Sequence, residues 1–280
     1  MTAMFRAPSR IVFAATGICF VALGSQPAMA GDAMTPIDFR RTQIGGEMGR
    51  RIDVTINNNL LKLDTQKDFL APFRAKSGPK GDLGDYIGVG QLIEAAVRFA
   101  AYTKNDDAIA WKKRLVDETI QTQEPDGYFG MMVGKDRVTR LWDASEMGYL
   151  ILGLTTDYQY SGEKKSLAAA RKLADYLVRR WSVAPADWPK VSLINSSIGL
   201  EYAMMQLYQQ TGDQRYLDFC VQKRSLQNWA AGIVLGQRTQ IREHAYGNVG
   251  SCLAQLELYR VQPSERLLLP TRQGIVYVTA

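Results

Sequence analysis

The chain has 280 residues, of which 46% are hydrophobic and 22% charged, and this composition excludes a collagen, a coiled coil and a wholly disordered protein. The net charge is +6, but 28 acidic residues are spread among 34 basic ones without a basic run, so nucleic-acid binding is not expected. One histidine and three cysteines are too few for a multi-histidine metal site or a disulfide scaffold.

Residues 1–30 have the pattern of a secretory signal peptide. Arg6 and Arg10 form a positive segment, an apolar stretch covers residues 11–23, and Ala28-Met29-Ala30 is a small-x-small cleavage site. The apolar stretch is too short for a comfortable membrane span. We therefore expect cleavage after Ala30, no stable membrane span in the mature protein, and a periplasmic or secreted location. An uncleaved anchor is the alternative.

The middle of the chain repeats an apolar helical segment that ends in tyrosine. Four such segments end at intervals of about fifty residues, at Tyr102, Tyr158, Tyr208 and Tyr259. Glycine-containing helix stops follow the second and third tyrosines, and partner helices are expected over residues 163–181 and 214–229. With a further helix over residues 46–63, the pattern predicts an all-α fold of about eight helices stacked as hairpins, either an open solenoid or a toroid.

The repeat stops after Arg260. Pro263 and Pro270 stand where a turn and another helix are due, and a strand signal appears at residues 274–278. We expect one helical domain over residues 31–262 and an irregular tail over residues 263–280. Both a natural C-terminal cap and a truncated or frame-shifted gene product explain this tail, and we favour the second.

Three motifs on loops or at helix starts combine aromatic side chains with carboxylates; they cover residues 81–88, 121–130 and 141–149. Aromatic rings pack against the apolar faces of sugars, and two carboxyl groups can act as acid and base, or as acid and nucleophile, on a glycosidic bond. We therefore predict a carbohydrate substrate, with Glu146 and Asp143 as catalytic residues. The predicted substrate-binding residues in these motifs are Asp85, Tyr86, Asp126, Tyr128 and Trp142.

A purely structural interpretation of the same residues is also open. Asp126-Gly127 is a turn signal, Asp143 stands where a helix N-cap would, and the aromatic residues could belong to the core. The case for function depends on all of them meeting at one end of the helical array.

In their order, these motifs resemble the beta-L-arabinofuranosidase-type glycoside hydrolases of family 127, from about residue 53 to residue 260. The shared patterns are Gly-Asp-Tyr-x-Gly, Gln-x-x-Asp-Gly-Tyr-Phe-Gly, Leu-Trp-x-x-x-Glu-x-Gly-Tyr, Tyr-x-x-Thr-Gly-Asp and His-Ala-Tyr. The resemblance implies a partial (α/α) toroid of the six-hairpin glycosidase type, followed in the family by β-sandwich domains. It implies hydrolysis of arabinofuranosides or related glycans, and by position it makes His244 a substrate-contacting residue; a satisfied histidine at a helix start is the alternative.

The chain departs from the family pattern in two ways. Ser145 stands where the family usually has a histidine, directly before Glu146. The family's acid/base glutamate and its zinc-bound cysteine cluster lie downstream of the His-Ala-Tyr motif, and we find no counterpart before the chain ends. Zinc is therefore implied by the resemblance alone, with no metal ligands and no cofactor identifiable. Cys220 and Cys252 are expected to be buried, and whether they pair is open.

Three functions follow from these observations. The first is a secreted glycoside hydrolase acting on arabinofuranosides or related plant-type glycans. The second is a truncated, inactive relative that binds sugars and forms oligomers through an open toroid edge. The third is a non-catalytic helical-repeat module that binds carbohydrate or protein.

Overall fold

In the computed structural model, the described residues are 37–76, 87–140, 142–183, 199–230 and 245–279. Within these ranges the chain is helical and contains no strand. None of the helices there is both long enough and apolar enough to cross a bilayer. The predicted all-α class is therefore confirmed, whereas the signal peptide at residues 1–30 lies outside the described residues.

Ten α-helices occur in the described ranges. Their bounds are α1 Gly46–Asn58, α2 Ala71–Ala75, α3 Val89–Thr103, α4 Asp106–Ile120, α5 Asp143–Ser161, α6 Lys164–Ser182, α7 Leu200–Thr211, α8 Gln214–Asp218, α9 Ala245–Val261 and α10 Glu265–Thr279. Single turns of π-helix precede α2 at Gln66–Leu70 and follow α8 at Phe219–Lys223.

The tyrosine repeat corresponds to one layer of the fold. The four repeated segments are α3, α5, α7 and α9, and each of these inner helices packs against the next. Helices α4, α6 and α8 return the chain on the other side, so that α3–α4, α5–α6 and α7–α8 are hairpins. The predicted stacking of helical hairpins, as part of an α/α toroid, is confirmed.

The two layers differ in amphipathicity because they differ in burial. Helix α5 buries 14 of its 19 residues, as expected for a helix with neighbours on several sides. Helix α6 buries one stripe, which includes Ala169, Leu173 and Leu177 at helical spacing, and its remaining surface carries lysine and arginine. The buried side chains of both layers form one continuous core.

Glycines set the spacing of α3 and α5 where the two helices cross. A Cβ atom added to Gly90 of α3 would lie 2.1 Å from the carbonyl carbon of Tyr149 in α5. A Cβ atom added to Gly153 of α5 would lie 2.4 Å from the carbonyl oxygen of Gly90. The backbones of α3 and α5 therefore touch at this crossing, which leaves no room for side chains.

The predicted helix stops are confirmed where the turn chemistry is clear. Gly162 and Gly212 end α5 and α7 in the left-handed conformation, with φ of 73° and 66°. Asp213 then caps α8 by accepting a hydrogen bond from the backbone N–H of Arg215. The partner helix predicted over residues 214–229 is shorter than expected, because Ser225 turns the chain with φ of 52°.

The predicted irregular tail over residues 263–280 is wrong. Residues Glu265–Thr279 form α10, which packs against α9 and includes the strand signal at residues 274–278. The three consecutive leucines after Arg266 favour a helix, and Leu267 and Pro270, three residues apart, bury one face. This burial offsets the missing N–H of Pro270 and the β propensity of the last residues.

Candidate functional site

The first turns of the inner helices meet at one end of the array, which we call the mouth. A Cβ atom on Gly148 of α5 would lie 2.9 Å from Cα of Leu200 in α7, and one on Gly250 of α9 would lie 3.6 Å from the backbone nitrogen of Gly199. Glu146 of α5 reaches the start of α3 in the same way. The described residues that directly precede α3 and α7, Ile87 and Gly199, therefore lie at the mouth. Loops at one end of a rigid scaffold are common places for function.

The structure describes five of the eight residues predicted for the site, which are Asp126, Tyr128, Trp142, Asp143 and Glu146. Three predicted site residues lie outside the described residues: Asp85, Tyr86 and His244.

Glu146 caps a helix other than its own. Its carboxylate accepts hydrogen bonds from the backbone N–H groups of Ile87 (3.0 Å), Gly88 (2.8 Å) and Val89 (2.9 Å), and the residue is 1% exposed. Because Gly88 provides no side-chain cap, Glu146 satisfies the unpaired donors at the N-terminus of α3. Burial raises the pKa of Glu146, and these hydrogen bonds oppose the rise. Its predicted catalytic role stays a prediction.

Asp143, in the first turn of α5, forms hydrogen bonds to two residues of the 121–142 loop. It accepts hydrogen bonds from the Tyr128 hydroxyl (3.0 Å to Oδ1) and from the backbone N–H of Val138 (2.6 Å), and it is 1% exposed. Burial raises the pKa of Asp143 to about 7, and the Val138 and Tyr128 hydrogen bonds oppose the rise. The N-cap position belongs to Trp142, so the alternative interpretation of Asp143 as an N-cap is wrong.

Two strained residues flank this contact. Val138 and Trp142 both have φ of 70°, a conformation that is costly for a β-branched or bulky residue. The Asp143 carboxylate holds Val138 in place through its backbone N–H. Strain of this kind persists where surrounding contacts over-determine the backbone, which is common at functional sites.

Tyr128 is the centre of the loop and is completely buried. The Arg137 guanidinium lies 4.4 Å from its ring centroid, and the Lys76 ammonium lies 5.5 Å from the same centroid. Arg137 also forms ion pairs with Glu124 (2.6 Å) and Asp126 (3.1 Å). Tyr128 thus has a core position, as the structural interpretation expected, and in the described structure its ring is out of reach of a ligand.

Asp126 lies on the outer side of the mouth. Its Oδ1 accepts a hydrogen bond from the backbone N–H of Tyr128, and Gly127 has φ of 102°, so the predicted Asp-Gly turn is present. Arg179 of α6 donates to the Asp126 carbonyl oxygen (2.7 Å), which places this turn against the outer layer. The carboxylate itself is half exposed and is neutralised by Arg137.

Sequence reasoning did not select the side chains that surround the Tyr149 hydroxyl as site residues. The Gln91 side chain of α3 hydrogen-bonds the Tyr149 hydroxyl of α5, and the charge of Glu94 and the hydroxyl of Tyr246 act on the same group. Burial raises the pKa of Tyr149. Tyr246, in the first turn of α9, is 70% exposed. The sequence did contain a signal for two of these residues, because Tyr149 and Tyr246 are the last residues of two motifs quoted above.

Ser145 has no hydrogen-bond partner for its hydroxyl although it is buried. An unpaired buried hydroxyl is unfavourable and needs an explanation. It occupies the position where the family resemblance expects a histidine, so the chain replaces a large polar ring by a small side chain beside Glu146.

The described residues provide no zinc site. Within the described ranges, no three side chains of the histidine, cysteine, aspartate or glutamate type gather closely enough to hold a metal ion. Cys220 is fully buried and its thiol contacts the carbonyl oxygen of Glu201 (3.6 Å), while Cys252 is a separate free cysteine. Burial raises the pKa of both thiols, so neither is an activated thiolate.

The comparisons with known proteins agree on one family. A family model described as "Beta-L-arabinofuranosidase, GH127 catalytic domain" matches residues 55–268. The chain is 27% identical over 198 residues to a "Non-reducing end beta-L-arabinofuranosidase" of Bifidobacterium longum subsp. longum, and this match covers 61% of the chain and 29% of that protein.

Two solved structures share the fold at low sequence identity. One is Ara127N-Se, a GH127 beta-L-arabinofuranosidase from Geobacillus stearothermophilus T6, with a TM-score of 0.60 and 16% identity over 85% of this chain and 45% of that one. The other is a GH127 beta-arabinofuranosidase with a TM-score of 0.56 and 16% identity over 87% of this chain and 42% of that one. The chain therefore spans less than half the length of these relatives.

Proposed function

Because the chain belongs to the GH127 beta-L-arabinofuranosidase family, we propose that it acts on beta-L-arabinofuranosides or related plant-type glycans as a glycoside hydrolase. The observation that carries this proposal is the mouth, where Gln91 hydrogen-bonds the Tyr149 hydroxyl and Glu94 and Tyr246, from α3 and α9, act on the same hydroxyl. Aromatic rings beside an amide and a carboxylate suit a sugar, which has apolar C–H faces and many hydroxyl groups.

The buried carboxylates of Asp143 and Glu146 hold the backbone around this site in place. Asp143 holds the 121–142 loop and Glu146 holds the start of α3, so both fix the walls of the mouth. Asp143, with a pKa of about 7, also has the proton affinity that an acid or base needs near neutral pH, so we keep it as a proposed catalytic residue. For Glu146 the three backbone hydrogen bonds favour a positioning role, and the predicted catalytic role is tested with it.

An assay with a panel of aryl glycosides tests the proposed function. We expect the purified chain to hydrolyse an aryl beta-L-arabinofuranoside faster than aryl alpha-L-arabinofuranosides, beta-D-xylosides or beta-D-glucosides. Glu94→Gln and Tyr246→Ala should each lower kcat/KM at least about tenfold, which corresponds to about 1.4 kcal/mol. The control Glu265→Gln, at an exposed position of α10, should not change it. No turnover of any glycoside in the panel contradicts the proposal.

Binding without turnover is the second candidate function. The enclosure of Asp143 and Glu146, each 1% exposed, favours it, because a buried carboxylate meets a substrate only after a rearrangement. This function predicts a saturable heat of binding for arabino-oligosaccharides in a calorimeter, together with no release of reducing sugar. Turnover of the same oligosaccharides excludes it.

We also propose that the protein is exported and cleaved after Ala30, as the pattern of residues 1–30 predicts. N-terminal sequencing of the protein recovered from its native host tests this, and a mature protein that starts with Met1 contradicts it.

The exposed apolar side chains of α9 support self-association of two copies through this face. Val249 and Leu253, four residues apart in α9, are 59% and 41% exposed. Light scattering of the purified chain tests it: a dimer that Leu253→Lys converts to a monomer agrees, and a monomeric parent chain does not.

A further inference from the structure

A cavity lies on the inner helices, beyond the mouth in the direction of their C-termini. Its volume is about 630 Å³, and its wall comes from α3, α5, α7 and α9. We call it the concave cavity. Arg98 follows Gln91 in α3 by about 10 Å along the helix axis, and Glu257 follows Tyr246 in α9 by about 16 Å. The concave cavity therefore lies further along the inner helices than the mouth, and it adjoins the mouth where Arg98 donates to Glu94 (2.8 Å). Its most informative lining residues are Arg98, Tyr160, Tyr202, Gln206, Glu257 and Arg260.

The polar groups of the concave cavity are held in fixed positions. Glu257 is 7% exposed and accepts hydrogen bonds from the Gln209 side chain and from Arg260, both at 2.5 Å. Arg98 donates to Glu94 (2.8 Å), and its guanidinium lies 5.8 Å from the Tyr160 ring centroid. A ligand would thus meet prearranged partners and lose little affinity to the ordering of side chains.

Each arginine of the lining is paired with a carboxylate. Arg260 pairs with Glu257 within the lining, and Arg98 pairs with Glu94, which lies outside the lining at the mouth. The cavity therefore offers no unpaired charge that would select an anion or a cation. Its remaining groups are amides and tyrosines, which suit a neutral molecule with several hydroxyl groups.

The tyrosines give the cavity its apolar surface. Among the described residues that line it, Tyr160, Tyr202 and Tyr208 are aromatic and none has an aliphatic side chain. A lipid or an apolar peptide would need aliphatic contacts, whereas the C–H face of a sugar ring packs on a tyrosine while its hydroxyl groups reach amides and carboxylates.

We propose that the concave cavity binds a neutral oligosaccharide, separately from the mouth. The choice of a saccharide agrees with the proposed function, but the site consists of different residues and can exist without hydrolysis at the mouth. Glu257 with its two donors anchors the sugar hydroxyl groups, and Tyr202 contacts a sugar face.

Calorimetric titration of the full chain with arabinotriose, xylotriose and cellotriose tests this proposal. We expect saturable binding of at least one of them, weakened about fivefold or more by Gln206→Leu, which removes the amide and keeps the size. Gln210→Leu, on the same helix and outside the lining, is the matched control and should leave the affinity unchanged. If Gln206→Leu does not fold, as judged by circular dichroism, Gln159→Leu replaces it, because Gln159 also lines the cavity and is exposed.

The outcomes separate this proposal from the proposed function. Binding that Gln206→Leu weakens and Tyr246→Ala does not supports the concave cavity, even if no glycoside is hydrolysed. Binding that only Tyr246→Ala weakens assigns the sugar to the mouth and overturns the proposal. No binding of any of the three oligosaccharides, or a dimer that covers this surface, also overturns it.

Discussion

The carboxylate of Glu146 accepts a 2.9 Å hydrogen bond from the backbone N–H of Val89, so the first turn of α5 caps the N-terminus of α3. This contact joins positions that are 57 residues apart in the sequence. It connects the helix scaffold to the mouth, because the same carboxylate fixes the turn at Gly88 through which the chain enters α3.

Replacing Glu146 tests this cap. Glu146→Gln removes the charge and directs an amide N–H toward backbone donors, so we expect a loss of about 2–3 kcal/mol in the free energy of unfolding, measured with urea. The control Glu47→Gln, at an exposed residue that pairs with Arg50, should change stability by less than about 0.5 kcal/mol. Equal effects of the two substitutions would contradict the capping role.

Asp143 should make stability depend on pH below neutrality. Its pKa is about 7 in the folded protein and near 4 in an unfolded chain, so the folded state binds the proton more tightly between these values. Stability should therefore fall as the pH rises from about 4 to about 7, by at most about 1.4 kcal/mol per pH unit for this group. Asp143→Asn should make this fall in stability shallower. Part of the fall should remain, because burial also raises the pKa of Glu146.

The pH experiment has a control in the same loop. Asp136 is exposed, so Asp136→Asn should leave the slope of unfolding free energy against pH unchanged. If the curves of Asp143→Asn and the parent chain run parallel from pH 4 to pH 7, the raised pKa is refuted.

The crossing of α3 and α5 should tolerate no side chain at Gly90. Gly90→Ala would bring Cβ to 2.1 Å from the Tyr149 backbone, so we expect a loss of about 3 kcal/mol or more in a denaturation experiment. Gly274→Ala, in α10 with nothing within 4 Å of the added Cβ, should instead stabilise by about 0.5–1 kcal/mol. Destabilisation at Gly274 would argue against helix α10.

A buried ion pair joins the outer and inner layers. The Lys112 ammonium of α4 lies 2.7 Å from Asp157 of α5, which also accepts hydrogen bonds from Ser161 and Ser166. Lys112→Met leaves Asp157 buried without its partner charge and should cost about 3–5 kcal/mol. The neighbouring Lys113, which pairs with Asp117 at the surface, provides the control: Lys113→Met should cost less than about 0.5 kcal/mol by the same measurement. Similar losses for both would contradict the buried pair.

Local patterns predicted much of the scaffold. The inner helices were predictable because their apolar spacing and the turns at Gly162 and Gly212 are signals within one segment. Helix α10 was not, because the burial of Leu267 and the packing of α10 against α9 decide it, and these are tertiary contacts.

The candidate site was less accessible to sequence reasoning. Asp143 and Glu146 could be selected as unusual carboxylates, but their partners depend on how helices and loops meet in space. The residues that face the mouth from α3, such as Gln91 and Glu94, have no motif of their own, and only the packing of α3 beside α5 brings them next to Tyr149.

A crystal structure of the purified chain with an arabinofuranose-containing oligosaccharide is the decisive test of the carbohydrate site. We expect a sugar ring at the mouth, in contact with Tyr149 and Tyr246 and within hydrogen-bond distance of Glu94. Electron density for the sugar only elsewhere on the protein, or none at saturating concentration, would contradict the mouth as the carbohydrate site.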